Sequence, residues 1–87
     1  MRIALICGIY VPHDAISAAV EQQARLLLTM PEVESVTIFS QFVARPAPCE
    51  AITVATSGEL LNQHVFYESD LAIFHWGIHY DLFNSLI

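Results

Sequence analysis

Arg2-Ile3-Ala4-Leu5-Ile6-Cys7 opens the chain, and Gly8-Ile9-Tyr10-Val11-Pro12-His13-Asp14 follows at once. After Arg2 the run is apolar at every position, not at every second one. An alternating strand has one wet face, whereas a continuously apolar strand is covered on both, as in parallel sheets flanked by helices. Gly8 is expected to end the strand. Pro12 bars a helix from starting early, and Asp14 is the expected N-cap. From Ala15 the period becomes helical. Ile16, Ala19, Val20, Ala24, Leu27 and Leu28 form one stripe, with Glu21, Gln22 and Arg25 on the other side. That helix is expected to run to Met30, because Pro31 disfavours helical backbone before it.

The same reading extends along the chain. Ser35-Val36-Thr37-Ile38-Phe39-Ser40 predicts a second strand, Ala51-Ile52-Thr53-Val54 a weaker third, and Leu71-Ala72-Ile73-Phe74 a fourth. The stretch 41–50, with Pro46 and Pro48, reads as a loop. Ser57 is the expected cap of a short helix to about residue 64, with Glu59 in its first turn. Residues 81–87 read as two helical turns. Strands alternating with helices imply an α/β fold. Short connections and right-handed crossovers then predict a Rossmann-like open parallel sheet of four strands in the order 3-2-1-4, flanked by helices. Where the winding reverses, strands 1 and 4 end side by side, and open α/β sheets bind ligands beyond the strand ends at such a point. The two loops there are 8–14 and 75–80.

Composition narrows the function classes. The 87 residues suffice for one domain, and a chain of this size hides only ~60% of its unfolded surface. Yet 55% of the residues are hydrophobic and 14% charged, against a norm of ~25% charged. The excess apolar surface predicts a partial domain that meets further chain or associates with itself. Net charge is −6, with three arginines and no lysine, which argues against nucleic acid and anionic membrane as partners. No apolar window reaches membrane-spanning length, and the N-terminus lacks a signal-peptide pattern. Cys7 and Cys49 are too few and too far apart for a disulfide scaffold, so a reduced cytosolic setting is expected.

The candidate chemistry sits in the two loops. "FHWGIHY", residues 74–80, places His75 directly after the fourth strand. Histidine suits proton transfer when it faces a crevice, and a strand-end histidine held by backbone hydrogen bonds is the plainer reading. His75 and His79 have zinc-ligand spacing on a helix. Gly77 interrupts that helix and no cysteine or acid completes the set, so no metal is expected. "GIYVPHD", residues 8–14, occupies the place of a phosphate-binding loop but has neither GxGxxG nor GK[ST]. Tyr10, Trp76 and Tyr80 are available for stacking or for core packing, and Asp70 reads as a turn residue.

"MRIALICGIYVPHDAISAAVEQQARLL" (1–27) and "SDLAIFHWGIHYDLFNSL" (69–86) together resemble the first half of the N-terminal domain of GT-B fold glycosyltransferases, most closely the family-4-like, retaining bacterial enzymes. The resemblance rests on the strand–glycine loop–helix opening and on Asp70-Leu71-Ala72-Ile73-Phe74-His75-Trp76-Gly77, an acidic residue, an apolar strand and His-x-Gly. The first loop has one glycine where many members have two. The resemblance implies that residues 1–87 are the first half of an acceptor-side domain, with the second, donor-binding domain absent and the fragment inactive alone. It implies transfer of a sugar from a nucleotide-sugar to a saccharide or lipid-linked acceptor, with no cofactor. The implied setting is polysaccharide biosynthesis in the cytoplasm, with the parent enzyme peripheral to the inner membrane. It assigns a catalytic role to His75 and acceptor binding to Gly8, Tyr10, His13 and Gly77. Without the resemblance, the residues fit a stand-alone, flavodoxin-like α/β binding or regulatory module.

Overall fold

The computed structural model describes residues 1–75. It contains four parallel strands in the order β3-β2-β1-β4, the order expected for a Rossmann-like sheet. The strands are β1 (Arg2–Tyr10), β2 (Ser35–Val43), β3 (Glu50–Thr53) and β4 (Leu71–Phe74). β1 is central. It pairs with β2 from Arg2↔Ser35 to Tyr10↔Val43, and with β4 from Ile3↔Leu71 to Ile6↔Phe74.

Gly8 does not end the first strand. The ladder with β2 continues through Ile9↔Phe42 and Tyr10↔Val43, and the Ala44 amide donates to the Tyr10 carbonyl at 2.9 Å. Gly8 itself has no partner in the register between Cys7↔Ser40 and Ile9↔Phe42, yet the strand runs through it, and no described glycine has a positive φ. Among the described residues the one positive φ outside glycine is at His13, at 59°.

Two cores account for the uninterrupted apolar run. Ile3, Leu5 and Cys7 join Val20, Ala24, Val36 and Ile38 on one face, while Ala4 and Ile6 join Phe39, Val54 and Leu60 on the other. The first face is covered by α1 (Ala15–Leu28). Asp14 caps it as expected, accepting from the Ser17 amide at 2.8 Å. The buried stripe is Ser17, Val20 and Ala24, flanked by Ile16 and Leu27. It is rotated away from Ala19 and Leu28, which are exposed. The helix also ends two residues before Met30. The Thr29 hydroxyl takes the Leu26 carbonyl at 2.6 Å, and the Met30 amide bonds Leu27 in a tighter turn.

The connection from β2 to β3, residues 44–49, contains no helix. β3 begins level with Thr37, six residues back from the end of β2. Six strand residues rise about 20 Å, and the seven steps from Val43 to Glu50 reach at most about 25 Å. The segment must therefore run almost straight. Pro46 and Pro48 favour that extended course, and Ala47 and Cys49 pack into the core on the face covered by α1.

The opposite face is covered by α2 (Ser57–Leu61) and α3 (His64–Tyr67). Thr56, not Ser57, caps α2. Its hydroxyl accepts from the Glu59 amide at 3.2 Å, and the Glu59 carboxylate accepts from the Ala55 amide at 3.0 Å. This is close to a capping box. Leu60 is buried, and Phe66 meets Phe39 edge-on at 5.9 Å. β4 is then anchored by Asp70, whose carboxylate accepts from the Arg2 amide at 2.7 Å. Among the described residues no helix is long and apolar enough to cross a membrane.

Leu5 is inaccessible at the centre of the sheet, whereas Leu71, on the edge strand, is 44% exposed. Leu5→Ala is expected to cost about 2–5 kcal/mol. Leu71→Ala is expected to stay within about 0.5 kcal/mol of the parent. Urea unfolding of both variants, with unchanged slope, provides the comparison.

Candidate functional site

Three segments converge beyond the carboxyl ends of β1 and β2, on the α1 side. The turn from β1 into α1 is fixed by Ser17, which is fully buried. Its hydroxyl accepts from the Val11 amide at 3.0 Å and lies within donating distance of the Ile9 carbonyl (3.1 Å) and the Asp14 carboxylate (2.8 Å). Asp14 thus serves both the helix end and the loop. Its carboxyl is held below the usual range by the Ser17 amide first and the Ser17 hydroxyl second.

One turn of helix further on, Glu21 accepts from Arg45 Nε at 3.1 Å. Arg25 Nε lies 3.5 Å from its second oxygen, and the Tyr10 hydroxyl stands 3.5 Å from the first. The Arg45 bond is the main cause of the lowered Glu21 pKa. Arg45 also donates from Nη1 to the Val11 carbonyl at 3.3 Å, and its guanidinium sits 5.8 Å from the Tyr10 ring centroid. Arg45 therefore joins the loop, the helix and the straight β2–β3 connection. Pro12 and His13, Glu21 and Arg25, and Arg45 and Pro46 surround an open crevice of about 400 Å³ between these segments.

The residues singled out in the sequence are distributed unevenly around this crevice. His13 is on its rim, exposed, in the left-handed conformation that costs a non-glycine residue about 1–2 kcal/mol. Gly8 lies within β1, its carbonyl accepting from the Ser40 hydroxyl at 3.1 Å. Tyr10 is fully buried beneath Arg45, and its hydroxyl donates to the Pro46 carbonyl at 3.2 Å. Its ring has no face left for a ligand, and burial is the first cause of its raised pKa. Gly77, with Trp76, His79, Tyr80 and the helix expected over 81–87, lies outside the described residues.

His75 does follow β4 directly, and its amide donates to the Ile6 carbonyl at 2.9 Å. Its side chain does not join His13. Alternation along β4 puts Phe74 in the far core and Ile73 in the core beneath α1, so His75 also turns to the α1 side. There Nε2 meets Gln23 Oε1 at 2.5 Å, in a second open crevice of about 730 Å³ along the flank of α1. Burial lowers the His75 pKa. Arg25 lines both crevices and so lies between the two histidines.

Among the described residues no group of three or more His, Cys, Asp or Glu side chains is placed to hold a metal ion. Cys7 is buried, which pushes its thiol up to about 11, and Cys49 is shifted upward by burial as well. Neither thiol is a ready nucleophile. Comparison of the chain with known protein families, with characterised proteins and with solved structures finds no match.

The shifts of Glu21, Asp14 and His75 share one sign with respect to pH. Each group has a lower pKa folded than unfolded, so the unfolded chain binds more protons and stability falls on acidification. The His75 share is lost first, below the ordinary histidine value. The carboxylate share is lost below the ordinary carboxylate range. Melting temperature followed from neutral to acid pH is expected to fall in both windows. Glu21→Gln should flatten the acid limb and His75→Gln the near-neutral one, and an unchanged acid limb in Glu21→Gln would mean that its carboxylate is not held by Arg45.

Proposed function

We propose that the chain is the acceptor-side portion of a GT-B-type glycosyltransferase, moving a sugar from a nucleotide-sugar to a saccharide or lipid-linked acceptor. The observation that carries this reading is the reversal of the sheet beside β1. The stretch Asp70-Leu71-Ala72-Ile73-Phe74-His75-Trp76-Gly77 bears the resemblance to that family, and its residues Leu71–Phe74 form the strand paired to β1 on the side opposite β2. Its histidine follows the carboxyl end of that strand, where open α/β sheets bind ligands.

In this reading a second domain supplies the nucleotide-sugar site, and the crevices on either flank of α1 face the acceptor. His75 hydrogen-bonds an acceptor hydroxyl or the transferred sugar in place of Gln23. A lowered imidazole pKa leaves it neutral near pH 7, with one nitrogen able to accept a proton.

The test is His75→Ala in the full-length protein. Removing a proton-moving group costs about 10²–10⁴-fold, and a positioning contact less. Turnover of a nucleotide-sugar with a saccharide acceptor is expected to drop at least about tenfold, with the melting temperature within about a few degrees of the parent. Full activity in the variant, or its unfolding, would make His75 a packed strand-end residue. Absence of transfer with any nucleotide-sugar would leave the stand-alone binding module.

A further inference from the structure

The crevice between α1 and the β2–β3 connection has a charge character opposite to that of the chain. The whole sequence carries −6, yet two of its three arginines converge here, with His13 on the rim. One carboxylate, Glu21, lies between the two guanidiniums, so the lining carries one net positive charge even with His13 neutral. The nearby Asp14 carboxylate is engaged by the Ser17 amide and hydroxyl and does not line the crevice.

The donors are unequally engaged. Arg45 is tied to Glu21 through Nε and to the Val11 carbonyl through Nη1. Its side chain is only 19% exposed, so its orientation is set before any ligand arrives. Arg25 is 63% exposed and meets Glu21 only at 3.5 Å through Nε. Among the described residues neither of its terminal nitrogens donates a hydrogen bond. A guanidinium with two free parallel N–H groups matches the two oxygens of a carboxylate or phosphate. Glu21 holds the base of that fork, which limits the ordering needed when an anion binds. The two prolines, Pro12 and Pro46, stiffen the opposite walls.

We propose that this crevice binds the anionic group, a carboxylate or a phosphate monoester, of the saccharide acceptor. The saccharide part rests on the transferase reading above, and the anion part on the crevice alone. Arg25 is the primary contact, Arg45 the fixed second charge, and His13 a rim donor. The site thereby selects uronic-acid or sugar-phosphate acceptors over neutral ones.

The test is an NMR titration of the full chain, following the arginine Nε–Hε signals and the backbone amides. The probes are inorganic phosphate, glucuronate, glucose 6-phosphate and glucose at equal concentration. The three anions are expected to shift Arg25, Arg45 and the amides of His13 and Ala47, and glucose is not. A larger response to glucuronate than to glucose 6-phosphate assigns the carboxylate, and the reverse assigns the phosphate. Arg25→Gln, a change on an exposed helix face, is expected to weaken anion binding about tenfold and leave amides elsewhere in place. Equal response to glucose, or unchanged anion affinity in Arg25→Gln, overturns the site. Anion binding at these residues combined with full transfer activity in His75→Ala would count against the assigned catalytic role and not against the crevice.

Discussion

Every other element is positioned by the enclosure of β1. Its backbone is paired along both edges, to β2 and to β4, and its side chains are buried on both faces from Ile3 to Cys7. A strand in that position cannot carry a polar side chain without a partner, because water reaches none of its surfaces. One polar residue, Arg2, precedes the enclosed stretch, and there the chain is at the sheet rim, where Arg2 Nη1 meets Glu68 at 2.8 Å. α1 and the α2–α3 crossover are then obliged to take opposite faces. The reversal that follows places His75 beside β1 while Arg45 comes to its other side.

Polar groups gather at both ends of the sheet, around Arg2 at the amino end and around Ser17 and Glu21 at the carboxyl end, and each end relies on a few groups with several partners. Ser17 satisfies a loop amide from inside the core, and Glu21 joins two guanidiniums and a phenol. Ser17, fully buried, is costly to lose, whereas the Glu21 group borders an open crevice with Arg25 63% exposed, where solvent screens its ion pairs. Glu21 also draws the two arginines together without cancelling them. Tyr10 belongs to this network and not to the ligand surface. It supplies the apolar floor beneath Arg45 and a hydroxyl for Pro46.

The fold was legible because its signals are local. An unbroken apolar run, a capped helix with a 3.6-residue period and a proline after it are all read within a dozen residues. Asp14 is read as the cap from its position alone. Gly8 misleads for the same reason. Glycine tolerates a turn, but the ladder with β2 is a non-local term, and it carries the strand on to Tyr10. Arg45 could not be singled out. It stands among prolines in a stretch that reads as loop, and its partner Glu21 is 24 residues away in sequence. The direction of His75 was within reach, since strand alternation puts it on the same face as Ile73. Recognising that face as the α1 side required the crossover to be known.

The central place of β1 also has a consequence for the order in which the protein is made. β1 is synthesised before the three strands it is packed with, but Arg2 finds Asp70 only 68 residues later. At about 5–20 residues per second, that interval is on the order of several seconds. β2 arrives early and closes one edge, so the nascent chain carries a three-stranded sheet with an apolar strand at its margin. An open margin of that kind templates pairing with other chains. Until β4 arrives, the edge of β1 that it covers in the finished sheet stays open to such pairing.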